Sequence, residues 1–214
     1  MPGELFLIVS FGLPAILTAH EAGVRSAGYV AFGMSLLLMV GAMITPFGIV
    51  LLPKASELAG AGNICELTRQ VRNIFVFSLA LTASVTLVLE LTLPMLIRTF
   101  LGYASPEATA ISQILTLAAI PYGTYICLRS AIDACHERAI NTANIVISFG
   151  GFLLAASVLH LYHVTRGYSI IWLFVFAVWG LAFLTTIRLR MLLAGPKQGR
   201  CQGHQHVVLG EIGG

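Results

Sequence analysis

The chain has 214 residues, of which 57% are hydrophobic and only 10% charged, and its mean hydropathy is +0.90. Soluble domains average about 45–50% apolar and about 25% charged residues, so this composition excludes a water-soluble globular protein and points to an all-α integral membrane chain. The net charge of +3 comes from scattered basic residues with no polybasic run, which argues against a nucleic-acid partner, and four dispersed cysteines exclude a disulfide scaffold.

A transmembrane helix needs about 20 mostly apolar residues. Apolar runs bounded by charges or histidines predict six crossings, over about residues 5–20, 26–52, 73–97, 108–129, 139–160 and 167–188. The first run has no Lys or Arg before it, and Glu4 stands where a signal peptide would carry its basic region, so the run is expected to be retained. The second is expected to stop at Pro53, which cannot donate to a continuing helix ladder. Residues 54–72 read as an amphipathic connector. Gly60 and Gly62 mark a turn, and Asn63 is placed to cap a new helix with Glu66 three residues on. Ile64, Leu67, Val71, Ile74 and Phe75 then share one helical face, with Arg69 and Arg72 off it. The third run is interrupted only by Glu90. After the bundle, taken as residues 1–193, residues 194–214 are rich in Gly and polar side chains and read as a flexible tail.

Basic residues in short loops set the expected orientation. With the N-terminus inside, the inner loops hold Lys54, Arg69, Arg72, Arg129, Arg138, Arg188, Arg190, Lys197 and Arg200, and the outer loops hold Arg25, Arg98 and Arg166. The expectation is therefore a multi-pass protein of the inner or plasma membrane with both termini cytoplasmic. Cys65, Cys135 and Cys201 would then lie on the reducing side as free thiols.

Four segments in order carry a resemblance to a known family. They are AGVRSAGYVAFGMSLLLM (22–39), LLPKASELAGAG (51–62), TLPMLIRTFLGYASPEATAISQILTLAAIPYG (92–123) and RSAIDACHERAINTANIVISFGG (129–151). Together they resemble the polysaccharide-flippase branch of the multidrug/oligosaccharidyl-lipid/polysaccharide exporter superfamily. Such transporters usually have twelve or more helices in two pseudo-symmetric bundles, and this chain looks like the second bundle. The resemblance implies that a first bundle is missing. The chain is then either a fragment of a longer reading frame or the partner of another membrane chain.

The resemblance implies alternating access around a central cavity, with the bilayer and a lipid-linked sugar as partners. Pro14, Pro94 and Pro121 are candidate bending points or static kinks. Arg25, with Tyr29 one turn on, would then be a substrate-binding candidate, because a guanidinium fork suits pyrophosphate oxygens; the alternative is an outer-loop charge beside Glu21. In the peptidoglycan-precursor branch, charged residues tend to follow the matching tyrosine, whereas Tyr29-Val30-Ala31-Phe32-Gly33 carries none.

Glu90 is the ion-coupling candidate, since carboxylates within a membrane are costly; the alternative places it near the outer headgroups before Pro94. Arg129 and Asp133, four residues apart, read as a structural pair at the cytoplasmic mouth. His160 with His163, and Cys201 with His204 and His206, lack the ligands of a metal site, and no cofactor is expected. Cys135 and His136 are neighbours in sequence only, and no HExxH, GxSxG or P-loop pattern suggests an enzyme. Two alternatives to sugar export stand beside it: a multidrug antiporter of the same superfamily, with Glu90 as its buried acid, and a non-transporting subunit of a polysaccharide-assembly complex.

Overall fold

A backbone in hydrocarbon must satisfy its own hydrogen bonds, and the long apolar runs do so as helices. The computed structural model describes residues 2–135, 140–162 and 168–193. They form α1 (Pro2–Ala22), α2 (Val24–Gly60), α3 (Ile64–Leu101), α4 (Pro106–Thr116), α5 (Ala119–Cys135), α6 (Ile140–Leu161) and α7 (Ser169–Leu193). No strand occurs among the described residues. Arg138, Arg166, His136, His163 and the segment 194–214 lie outside them, as does the side chain of Cys135.

Five segments are long and apolar enough to cross a membrane: Val24–Leu58, Cys65–Leu101, Pro106–Asp133, Asn141–Leu161 and Ser169–Met191. The expected first crossing corresponds to α1, whose apolar portion Phe6–Ala22 is shorter. Large apolar side chains also point outward. Leu91 is 74% exposed, Met95 73% and Phe183 66%, which water would penalise and lipid does not. These features define a multi-pass membrane protein.

α2 is the hub, packing on α1, α3, α4 and α5, while α7 packs on α5 and α6. Its glycines let the neighbouring helices come close, as small residues do between membrane helices. A Cβ added at Gly33 would meet Leu115 Cδ1 at 2.7 Å, and one at Gly41 would meet the Tyr122 ring at 2.3 Å. Across from them, a Cβ at Gly123 of α5 would meet the Thr82 methyl of α3 at 2.3 Å. The larger core lies within this cluster and includes Leu37, Leu93, Leu115, Tyr125, Phe149 and Phe174.

A second, smaller core gathers Leu51, Ala55, Leu67, Val71, Leu128, Ala131, Ile132 and Leu189. It overturns the expected stop at Pro53. α2 continues through that proline to Gly60, because Leu51, Ala55 and Leu58 share a face that packs into this cluster. Residues 54–72 are thus no separate helix but the end of α2, a turn, and the start of α3. The turn itself is as expected: Gly62 takes φ +70°, and Asn63 Oδ1 accepts the Glu66 N–H at 3.3 Å. Glu66 also pairs with Arg69 at 2.8 Å.

Two further expectations are corrected. The run 108–129 is not one helix: α4 stops at Thr116 and α5 starts at Ala119. Pro121 has no N–H to offer the Leu117 carbonyl, and the Ala118 N–H bonds instead to Leu115 O, one residue short of the α-helical step, at 3.0 Å. Cys65 is not a free thiol but is disulfide-bonded. Cys127 is free and buried.

Candidate functional site

Two polar constellations stand out against the apolar bundle. The first lies where α1 gives way to α2 and α3 turns into α4. Gly102 takes φ +74°, a conformation that suits glycine, and ends α3 in a tight turn that carries Tyr103 across to the start of α2. Ser105 then caps α4, its Oγ accepting the Ala108 N–H at 3.3 Å. This local geometry is what brings Tyr103 to Arg25, the second residue of α2.

Arg25 Nε donates to Tyr29 Oη at 2.7 Å, and its Nη2 donates to Tyr103 Oη at 3.1 Å. The two phenol oxygens are themselves 3.1 Å apart, and the guanidinium carbon lies 5.8 Å and 5.9 Å from the two ring centroids. Tyr29 is buried and anchors the cluster, whereas Arg25 and Tyr103 are exposed. Glu107, the nearest acid in sequence to this turn, is taken by Ser26 Oγ at 2.8 Å. Among the described residues no carboxylate pairs with Arg25. A cation at a helix N-terminus opposes the helix dipole, so this arginine does not serve the helix that carries it. Among the described residues the guanidinium makes no hydrogen bond beyond these two. Arg25 and Tyr29 are thus brought together, and Tyr103 is the partner that sequence reasoning missed.

The second constellation is internal. Glu90 Oε1 accepts a hydrogen bond from Thr116 Oγ1, at the last residue of α4 and so at the helix break. One turn before each partner stand Thr86 on α3 and Ser112 on α4, both buried, and neither hydroxyl has a hydrogen-bond partner. Arg72 and Arg98 are roughly 39 Å apart along α3 at about 1.5 Å per residue. Glu90 lies within about 8 Å of the midpoint between them.

Arg129 Nε is 3.5 Å from Asp133 Oδ2, and Asn141 Nδ2 donates to Asp133 Oδ1 at 2.6 Å and to Arg129 O at 3.2 Å. The pair thus ties the end of α5 to the start of α6. His160 Nδ1 lies 2.7 Å from Glu21 Oε1, so it is engaged with a carboxylate rather than posed with a second ligand. Among the described residues no group of three His, Cys, Asp or Glu converges as metal ligands. A groove of about 290 Å³ between α6 and α7 is lined mainly by apolar and small residues, together with Ser148.

The class these features define is a multi-pass, all-helical membrane protein with a cationic, aromatic site at one end and a carboxylate–hydroxyl site inside. Comparison with known protein families, with curated proteins and with solved structures gives no match to this chain.

Proposed function

We propose that this chain takes part in moving a lipid-linked oligosaccharide or polysaccharide precursor across the inner or plasma membrane. The observation that carries this reading is Arg25, held by two tyrosines at a helix start with no carboxylate partner among the described residues. A guanidinium offers a planar fork of donors that fits phosphate oxygens, and the helix N-terminus adds favourable potential for an anion. Tyr29 and Tyr103 preset its orientation, which lowers the ordering cost of binding. The apolar outer surface leaves a prenyl tail in the bilayer while its pyrophosphate meets Arg25. In the orientation expected from the basic loops this end would face outward, as a site of release would. On this reading the bundle works by alternating access with a further bundle, supplied by a longer chain or a second membrane protein.

The test is direct binding of a polyprenyl pyrophosphate to the purified chain in nanodiscs. Arg25→Ala should weaken binding by about tenfold or more, the scale of a lost charge-assisted hydrogen bond. Arg25→Lys should recover only part of it, since a point charge replaces a fork. Equal binding by wild type and Arg25→Ala, both folded, would remove the phosphate role. A wild-type chain that binds no such lipid would instead favour the non-transporting subunit.

A further inference from the structure

The helical glycines of this chain fall into two kinds. Gly33, Gly41, Gly48 and Gly123 are required by its own packing, since an added Cβ at each would meet another helix at 2.7 Å or less. Gly151 of α6 and Gly180 of α7 are not. A Cβ at Gly151 would have nothing within 4 Å, and one at Gly180 would only touch Ser148 Oγ, at 4.0 Å. Glycine weakens a helix interior relative to alanine, so a pair that the chain's own packing does not need points to a neighbour outside it. Both line the groove between α6 and α7, together with Ala155 and Ala177. Small residues on membrane helices are what let another helix come close.

The same groove holds an unmade hydrogen bond. Ser157, on the same helix, donates to Leu153 O at 2.8 Å, the usual way a hydroxyl is satisfied within a helix. Ser148 departs from that habit: it is 9% exposed, lines the groove, and its Oγ has no partner. It lies within the apolar span Asn141–Leu161, where lipid chains have no donor to give it and a protein neighbour does.

A matching ridge stands beside the groove. Trp172, Phe176, Trp179 and Phe183 project from α7 at the four-three-four spacing of a helix-pairing seam. Trp172 is 40% exposed, Phe176 65%, Trp179 49% and Phe183 66%, and Phe176 also forms part of the groove wall. Ridge and groove therefore lie on one face, and such a face is complementary to itself. A two-fold axis seats the ridge of each copy in the groove of the other. With the axis along the membrane normal, both copies keep one orientation in the bilayer and every residue keeps its depth. Gly180 is level with Ser148, so the Trp179 of a second copy arrives at the height of the unpartnered oxygen. Its indole N–H is a donor only, and it makes no hydrogen bond among the described residues.

The area suffices. The four exposures together equal about two whole aromatic side chains, or about 300–500 Å² per ridge. Two ridges in two grooves bury about 1,200–2,000 Å², the range of a stable specific interface.

We propose that this chain forms a two-fold homodimer in the membrane through α6 and α7, the aromatic ridge of each copy lying in the small-residue groove of the other. The face shares no residue with the Arg25 or Glu90 constellations, so it stands or falls independently of what they bind.

The experiment is energy transfer between copies of the full chain carrying donor or acceptor dyes at the N-terminus, in lipid vesicles over a range of protein-to-lipid ratios. Wild type should give a saturating dimer isotherm. Gly180→Leu and Gly151→Leu fill the groove without straining the chain, and each should weaken dimerisation by about tenfold or more, as should the double variant Trp179→Ala/Phe183→Ala. Mixing Gly180→Leu copies with Trp179→Ala/Phe183→Ala copies should recover much of the transfer, because one sound ridge then meets one sound groove. Gly28→Ala, equally open but on α2, should dimerise as wild type does. Helicity is measured for each variant, and the two glycine variants decide should the aromatic one not fold. Transfer in wild type no greater than random proximity gives, wild-type dimerisation by Gly180→Leu and Gly151→Leu, or no recovery in the mixture of folded variants would each overturn the dimer.

Discussion

Replacing Gly41 by alanine adds one methyl group where α2 meets α5. That carbon would sit 2.3 Å from Tyr122 Cε1, 3.1 Å from Tyr122 Cδ1 and 3.2 Å from Ile126 Cδ1. Carbon atoms rest at about 3.5–4.0 Å from one another, so the ring must retreat by more than about 1 Å. It has little room, being 8% exposed and packed against Phe11 with ring centroids 4.9 Å apart. Overpacking of this kind costs about 1–3 kcal/mol, and the alanine returns about 0.5–1 kcal/mol by restricting the unfolded backbone. The expected net loss is about 1–2 kcal/mol. Gly28, on the same helix, has nothing within 4 Å of its added Cβ, so Gly28→Ala should gain about 0.5–1 kcal/mol. The same substitution is thus expected to change sign between the two positions. Unfolding in mixed micelles, followed by the fluorescence of Trp172 and Trp179, measures both. Tyr122→Leu in the Gly41→Ala background should relieve the clash and show as a coupling energy in a double-mutant cycle. If Gly41→Ala is as stable as Gly28→Ala, α2 and α5 do not meet at Gly41 and the packing described above is wrong.

Other outcomes follow from single contacts. Asn141→Ala should destabilise the chain by about 1–3 kcal/mol, because its amide joins Asp133 and the Arg129 carbonyl across the α5–α6 connection; an unaltered unfolding midpoint would contradict that clasp. Cys65 should resist maleimide in the native, unreduced protein and react after dithiothreitol, as read by mass spectrometry; modification without reductant would show that it carries no disulfide. Cys127, buried and free, should react only on unfolding. Tyr103→Phe should weaken polyprenyl pyrophosphate binding less than Arg25→Ala does, because the ring stays beneath the guanidinium while one hydrogen bond goes.

Local chemistry was legible in the residues, and distant packing was not. Asn63 and Glu66 are three apart, and the cap they form needs only their own turn. Pro53 obeys no such local rule: the apolar face of Leu51, Ala55 and Leu58 finds partners on α3, α5 and α7, and that burial carries the helix past the proline. The break before Pro121 hides for the opposite reason. The run 108–129 is apolar enough to read as one span, and hydropathy says nothing about where a carbonyl loses its donor. Arg25 and Tyr29 lie one turn apart and both read as substrate-binding candidates, but Tyr103 joins them from more than seventy positions away. Glu90 is legible as a lone charge in an apolar run, whereas its contact with Thr116 required the fold.

The two cores of this bundle are held together by different forces. The larger one lies at lipid depth, where an apolar side chain gains nothing by leaving one greasy neighbour for another, so it depends on close fit and on glycine seams. The smaller one is built from the stretches of α2, α3, α5 and α7 that also carry Lys54, Arg69, Arg72, Arg129 and Arg188, charges that hydrocarbon would penalise. Charges of that density draw water to this end, and expulsion of water from its apolar faces does the holding. Urea and cold weaken the second force and leave the first nearly untouched. The basic end of the molecule should therefore loosen first in either, fraying like the tip of a rope whose length is still bound.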